Sequence, residues 1–147
     1  MEPIIRQCTK DDFSDISRLI QEFHAEALKE YGLECEMNEV CRAIRDSLTE
    51  TLVLEVSSGI VGVISGKIID YPLQKAKIYQ ETIWFVSKDY RAYGRKLLTE
   101  LERHCKARGI MAIIMVALGN SMTERLDVYY KRCGYKMLET HYIRGLL

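Results

Sequence analysis

The chain has 147 residues, 48% of them hydrophobic and 29% charged, which suits one compact folded domain and excludes a disordered chain. Lys plus Arg balance Asp plus Glu at 21 each, so the basic excess that general nucleic-acid or anionic-membrane binding draws on is missing. No apolar run approaches the ~20 residues of a membrane span. The opening MEPIIRQCTKDD lacks the basic and apolar regions of a signal peptide, so a cytoplasmic protein is expected.

In chain order, Ile4–Cys8 reads as a short strand. Thr9 with Asp12 three residues on is a helix-start signature. Phe13, Ile16, Leu19, Ile20, Phe23 and Ala27 follow at helical spacing, so an amphipathic helix is expected over Asp11–Glu30, ended by Gly32. Met37, Val40, Cys41, Ile44 and Leu48 form the stripe of a second helix. Leu52–Val56 and Ile60–Ile69 flank the turn Ser57–Gly59 as a β-hairpin. Gly62 and Gly66 mark bulges or close backbone approach in its second strand. After the loop Tyr71–Lys77, a strand running to Val86 completes an antiparallel meander.

The stretch Glu81–Leu98, ETIWFVSKDYRAYGRKLL, organises the rest. It passes from strand, through a basic turn with Arg91, Gly94, Arg95 and Lys96, into a helix expected from Leu97. Free amides at a helix start, the helix dipole and a glycine make an anion site, here read as a pyrophosphate site. Glu81 is expected on the same face as Ile83 and Phe85, at an exposed strand end or lining a cleft. Gly109 stops the helix, and Met111–Leu118 is a continuous apolar run, the mark of a strand covered on both faces. Strand, helix, strand is a βαβ unit, so those two strands should be parallel. Ser121 with Glu124 starts a last helix that buries Leu126, Tyr129, Tyr130 and Cys133 and stops at Gly134. Tyr135–Leu138 and Thr140–Ile143 are expected as final strands. The result is one domain, residues 1–147, an α/β fold of order β-α-α-β-β-β-α-β-α-β-β: one mixed sheet with helices on both faces.

The five cysteines, Cys8, Cys35, Cys41, Cys105 and Cys133, are odd in number and lack C-x-x-C spacing, so reduced thiols are expected rather than disulfides. His24, His104 and His141 form no ligand cluster with them, and no metal site is expected.

The element order and the turn Arg91-Ala92-Tyr93-Gly94-Arg95-Lys96 resemble the GCN5-related N-acetyltransferase (GNAT) family, whose phosphate motif is Arg or Gln, two residues, Gly, one residue, then Gly or Ala. Lys96 departs from it, standing where a small residue is usual. Tyr129-Tyr130-Lys131-Arg132-Cys133-Gly134-Tyr135 is similar to the family's late tyrosine, three residues, glycine, aromatic stretch. Glu81-x-x-Trp84-x-Val86 and Phe23-His24-Ala25-Glu26 resemble a bacterial and phage branch. The resemblance covers nearly the whole chain.

It implies transfer of an acetyl group from acetyl-coenzyme A to a primary amine in a ternary complex, with no metal and no covalent enzyme intermediate. Glu81 is then the base, directly or through water, and Tyr130 the acid that protonates the departing thiolate. Phe85, Val86, Arg91, Ala92, Tyr93, Gly94, Arg95, Lys96 and Asn120 are the candidate coenzyme contacts. The backbone of Phe85 and Val86 would hold the pantetheine arm like an added strand. Glu22 and Glu26 would attract a cationic acceptor. The acceptor is a small-molecule or protein amine, with no nucleic-acid or membrane partner and with homodimers common in the family. The alternative from another class is a non-catalytic acyl-coenzyme A binding or protein-interaction module on the same fold.

Overall fold

The structure is a computed structural model, and it describes residues 2–32, 36–71, 75–117 and 123–146. Among the described residues five strands form one mixed sheet in the order β1 (Ile4–Gln7), β2 (Leu52–Val56), β3 (Gly59–Asp70), β4 (Lys77–Val86), β5 (Ala112–Ile114). The first four pair antiparallel as the meander requires, and β4 and β5 are parallel. Helices α1 (Phe13–Phe23) and α2 (Met37–Arg45) cover one face, where Ile16, Leu19, Ile20 and Ile44 pack on Val53, Val63, Ile83 and Phe85. Helices α3 (Gly94–Ala107) and α4 (Thr123–Arg132) cover the other, where Leu97, Leu98, Leu101, Cys105 and Tyr130 pack on Leu54, Ile64, Tyr79 and Val86.

The start signature before α1 forms as expected. The Asp12 carboxylate accepts the Thr9 amide at 2.8 Å and is clamped by two bonds of 2.8 Å from the Arg6 guanidinium. That clamp holds its carboxyl below the usual carboxylate range, the Arg6 hydrogen bonds being the main cause. The helical path continues beyond α1 through a π-helical turn, His24–Leu28, and ends at Gly32 with φ 69°. A π turn widens the helix and re-aims the side chains it carries. Glu26 is one of them.

Four sequence expectations are corrected. The helix expected from Leu97 begins at Gly94, preceded without a break by a 3₁₀ turn over Lys88–Tyr93. The Gly94 amide is therefore not free: it donates to the Arg91 carbonyl. The strand expected over Met111–Leu118, whose last residue lies outside the described ones, narrows to Ala112–Ile114, and Met111 is 72% exposed rather than covered. The strands expected at Tyr135–Leu138 and Thr140–Ile143 do not form, and Met137, Leu138, Tyr142 and Ile143 face solvent.

The fourth correction concerns Glu81. Ser65 pairs with Ile83 but Gly66 pairs with Glu81, so Thr82 is an extra residue in β4 and the strand bulges there. A bulge reverses the alternation of faces. Before it, Tyr79 points to the α3 and α4 face; after it, Trp84 and Val86 do, while Ile83 and Phe85 turn to α1. Glu81 thus lies opposite to Ile83 and Phe85, on the side of Tyr79 and Tyr130, both of which feel its charge. Gly66 makes this possible: a Cβ there would stand 2.3 Å from the Gln80 carbonyl oxygen and 2.6 Å from the Tyr79 ring.

Candidate active site

The site is a fork in the sheet. Among the described residues strands β4 and β5 pair at Ile78–Ala112, Tyr79–Ile113 and Gln80–Ile114, with the Met111 amide also donating to the Lys77 carbonyl at 3.1 Å. Beyond Gln80 no further pairing of β4 with this segment is found among the described residues, and a cavity of about 820 Å³ lies between Glu81–Val86, Val116, the start of α3 and one side of α4. Glu81 is the first residue past the fork. It is 7% exposed, and burial pushes its carboxyl up to about 8.

The edge of β4 along this cavity is open. The Ser87 amide donates to the Val61 carbonyl of β3 at 2.8 Å, so the carbonyl of the same trans peptide, that of Val86, points the opposite way. There Arg91 Nε reaches it at 3.0 Å. The guanidinium of Arg91 also donates to both oxygens of Glu26 at 2.8 Å and stands 5.6 Å from the centre of the Phe85 ring. Arg91 is thus turned inward onto strand and helix. Of the two carboxylates expected to attract an acceptor, Glu26 lines the cavity but is held by Arg91. Glu22 lies outside the cavity lining, paired with Arg18 at 3.1 Å and accepting from Ser87 Oγ at 3.1 Å.

The basic turn spans two hollows. Arg91, Gly94 and Arg95 line the cavity, and Arg95 also borders the groove that holds Lys96. Lys96 lines a shallow groove on the other side of α3 with Pro3, Ile5 and Arg103, its Nζ 5.4 Å from the Tyr93 ring centre. Ala92 and Tyr93 belong to neither wall. Gly94 packs against Trp84 and Val86, and a Cβ would meet both at 3.8 Å, an ordinary contact. Asn120 lies outside the described residues.

Tyr130 is 9% exposed, and its hydroxyl donates to the Val116 carbonyl at 3.0 Å, tying α4 to the chain that walls the cavity. Burial holds its phenol well above the usual range, and the Glu81 charge adds to the shift. Tyr129 lines the cavity itself, with Arg95 4.8 Å over its ring, and burial raises its phenol to about 12. Trp84 lies 6.2 and 6.1 Å from the two tyrosine rings.

Of the basic residues that line the cavity, Arg125 and Arg132 were not singled out from the sequence. Their spacing from Tyr129, four before and three after, puts all three on one helix face, and that was the signal available. With Glu81 protonated and Glu26 paired to Arg91, the charges left on the wall are Arg95, Arg125 and Arg132 against Glu124, a net positive surface. Such a wall suits an anionic ligand with an extended body that can pair along an open strand edge. Among the described residues no cluster of His, Cys, Asp and Glu is arranged to hold a metal.

The site is thus a mixed sheet forked beside a helix start, with a positive cavity at the fork. The profile of the Acetyltransferase (GNAT) family matches residues 13–135, and the chain belongs to that family. Among solved structures it is similar to a ribosomal-protein-alanine N-acetyltransferase from Brucella melitensis biovar Abortus 2308, with TM-score 0.78, 16% identity, and 99% of this chain and 100% of that one covered. An aminoglycoside acetyltransferase from an uncultured soil metagenomic sample aligns with TM-score 0.74 at 17% identity, covering 100% of both chains. Glucosamine-6-phosphate N-acetyltransferase from Arabidopsis thaliana aligns with TM-score 0.73 at 17% identity, covering 99% of both. No curated protein matches in sequence. At such identities the structural likeness speaks for the fold alone.

Proposed function

We propose that this acetyltransferase moves an acetyl group from acetyl-coenzyme A to a primary amine by direct attack in a ternary complex. The observation that carries the reading is the fork: an open β4 edge, with a buried carboxyl at its apex and a positive wall beside it. The pantetheine arm would lie along Phe85 and Val86, taking the Val86 carbonyl now held by Arg91. The phosphates would meet Arg91, Arg95, Arg125 and Arg132 near the Gly94 end of α3.

The amine nitrogen attacks the thioester carbonyl carbon, the carbon–sulfur bond breaks, and the sulfur leaves as thiolate. Glu81, directly or through water, takes the proton that the amine must lose. Tyr130 gives the thiolate its proton. Burial keeps that phenol protonated through the physiological range, and its hydroxyl already reaches the chain lining the cavity. The acceptor is a small-molecule or protein amine, the named neighbours including an aminoglycoside, a glucosamine-6-phosphate and a ribosomal-protein-alanine N-acetyltransferase. A bacterial or phage cytoplasm fits the branch that the Glu81-x-x-Trp84 stretch resembles.

The test is release of coenzyme A on incubating the protein with acetyl-coenzyme A and pooled amines, alongside a melting curve with the coenzyme alone. A ligand that binds only the native state raises the melting temperature by mass action. An unchanged curve at millimolar coenzyme sinks the reading. A shifted curve with no coenzyme A release from any amine favours the binding-module alternative.

A further inference from the structure

We propose that the acceptor is a primary amine whose body is apolar, aromatic or aliphatic, and carries no second positive charge, held on the α1 side of the cavity by Phe23, Leu28, Ile83 and Phe85. This rests on the acetyl-transfer reading and names its acceptor class. The cavity passes through the fork, so its wall comes from both faces of the sheet. The two parts differ in chemistry. On the α3 and α4 side stand Arg95, Arg125 and Arg132, beside Trp84, Tyr129 and the carboxyl of Glu81. That part suits the phosphates and the thioester of the coenzyme.

The α1 side is apolar. Phe23 ends α1 and Leu28 closes the π turn, and both line the cavity with Ile83 and Phe85 of β4. The rings of Phe23 and Phe85 meet edge to face, 5.7 Å between centres and 65° between planes. Aromatic pairs favour that geometry, so the apolar wall is held in place. The bulge at Thr82 sorts the two sides. It turns Ile83 and Phe85 towards α1 and leaves Glu81 with the coenzyme.

Charge decides against a polycation. Among the described residues the cavity wall holds three carboxylates, Glu26, Glu81 and Glu124. Glu124 belongs to α4, and Glu81 is buried and keeps its proton to about 8. Glu26 is the one carboxylate among the described residues on the α1 side, and Arg91 Nη2 donates to both its oxygens at 2.8 Å. Arg91 spends Nε and Nη2 on Val86 and Glu26, which leaves Nη1 to meet a phosphate while that pair stays closed. The reacting amine sheds its charge before it attacks. Any further ammonium on its body would leave water for a wall with no open carboxylate, and an unpaired buried charge is costly. An apolar body meets the opposite balance, gaining by leaving water for Phe23, Leu28 and Phe85.

The experiment is calorimetric titration of the coenzyme A-loaded protein with hexylamine, phenethylamine and cadaverine. Hexylamine and cadaverine have the same length, and cadaverine ends in an ammonium where hexylamine ends in a methyl. The two apolar amines should bind at least tenfold tighter than cadaverine. The same order is expected without coenzyme A, since the α1 wall is complete in the unloaded chain. Leu28→Glu adds an open carboxylate to that wall and should reverse the order, with the melting shift given by coenzyme A unchanged. Leu28→Gln should weaken the apolar amines without improving cadaverine. Cadaverine bound by wild type as tightly as hexylamine overturns the proposal, and so does failure of all three to bind. A folded, coenzyme-binding Leu28→Glu protein that keeps the wild-type order overturns it too. Coenzyme A release is read separately on the same amines. Apolar amines that bind in preference but are never acetylated leave the apolar subsite standing and sink acetyl transfer. Acetylation of cadaverine in preference to hexylamine does the reverse.

Discussion

Replacing Glu81 by Gln removes a titration that the fold itself creates. An ordinary glutamate loses its proton near 4.5, whereas the buried Glu81 keeps it to about 8. Below 4.5 the folded and unfolded states both bind the proton, and Glu81 costs nothing. Between 4.5 and 8 the folded state binds more protons than the unfolded one, so stability falls as pH rises. Above 8 the full penalty of a buried carboxylate is present. At about 1.4 kcal/mol per pH unit the loss has an upper limit of about 5 kcal/mol. Water entering the cavity beside Glu81 solvates the charge, so about 2–4 kcal/mol is expected. The assay is urea unfolding of wild type and Glu81→Gln at half-unit steps from pH 5 to 9. The wild type should lose stability relative to the variant across that window, and the variant's curve should be flatter. The same titration governs the proposed base. With a pKa of about 8 only about a tenth of Glu81 is ionised at pH 7. The wild-type kcat/KM should therefore climb with pH towards 8, and the variant should lack that limb. Parallel stability curves would show that Glu81 is not buried as a neutral acid, and the argument for a fork-side base would fall with them.

Tyr130→Phe should keep the ring packing on Trp84 and Tyr135 but lose the bond to Val116, lowering kcat by roughly tenfold or more with little change in coenzyme affinity. Tyr129→Phe is its control, and a larger kcat loss there would move the acid role to the neighbour. Glu26→Gln frees Arg91 from its ion pair, so calorimetric titration should show coenzyme A binding severalfold tighter; weaker binding would mean that the pair braces the site instead. Gly94→Val should still fold, having 3.8 Å of clearance to Trp84 and Val86 at Cβ, but should remove most of the melting shift given by acetyl-coenzyme A. Lys96→Ala should bind coenzyme A within about twofold of wild type, because Lys96 lies outside the cavity; a loss of 1 kcal/mol or more would put its ammonium on the phosphates.

Local chemistry settles quickly in a sequence, and here it was enough for the element order as far as α4 and for the family. The stripes of α1 and α3, the Thr9–Asp12 helix start and the hairpin turn after Val56 each rest on neighbours within a few residues, and the parallel pairing of β4 with β5 follows from the strand, helix, strand order. The bulge and close approach suspected at Gly66 also proved real, because glycine reports a missing Cβ directly. What the bulge does was hidden. Period-two counting put Glu81 beside Ile83 and Phe85, and one extra residue at Thr82 moved it to the opposite face. The fork after Gln80 was equally invisible, since an apolar run such as Met111–Leu118 carries no mark of where its pairing stops. Arg91 read as a phosphate ligand from its place in the turn. Its inward bonds to Val86 and Glu26 depend on a π turn in a helix 65 residues earlier. Tyr135–Leu138 and Thr140–Ile143 read as strands and do not join the sheet, since strand propensity names a conformation but not the edge that completes it. Residue type and spacing thus fixed the parts, while pairing register, burial and long-range ion pairs, which depend on segments far apart in the chain, decided which atoms meet at the site.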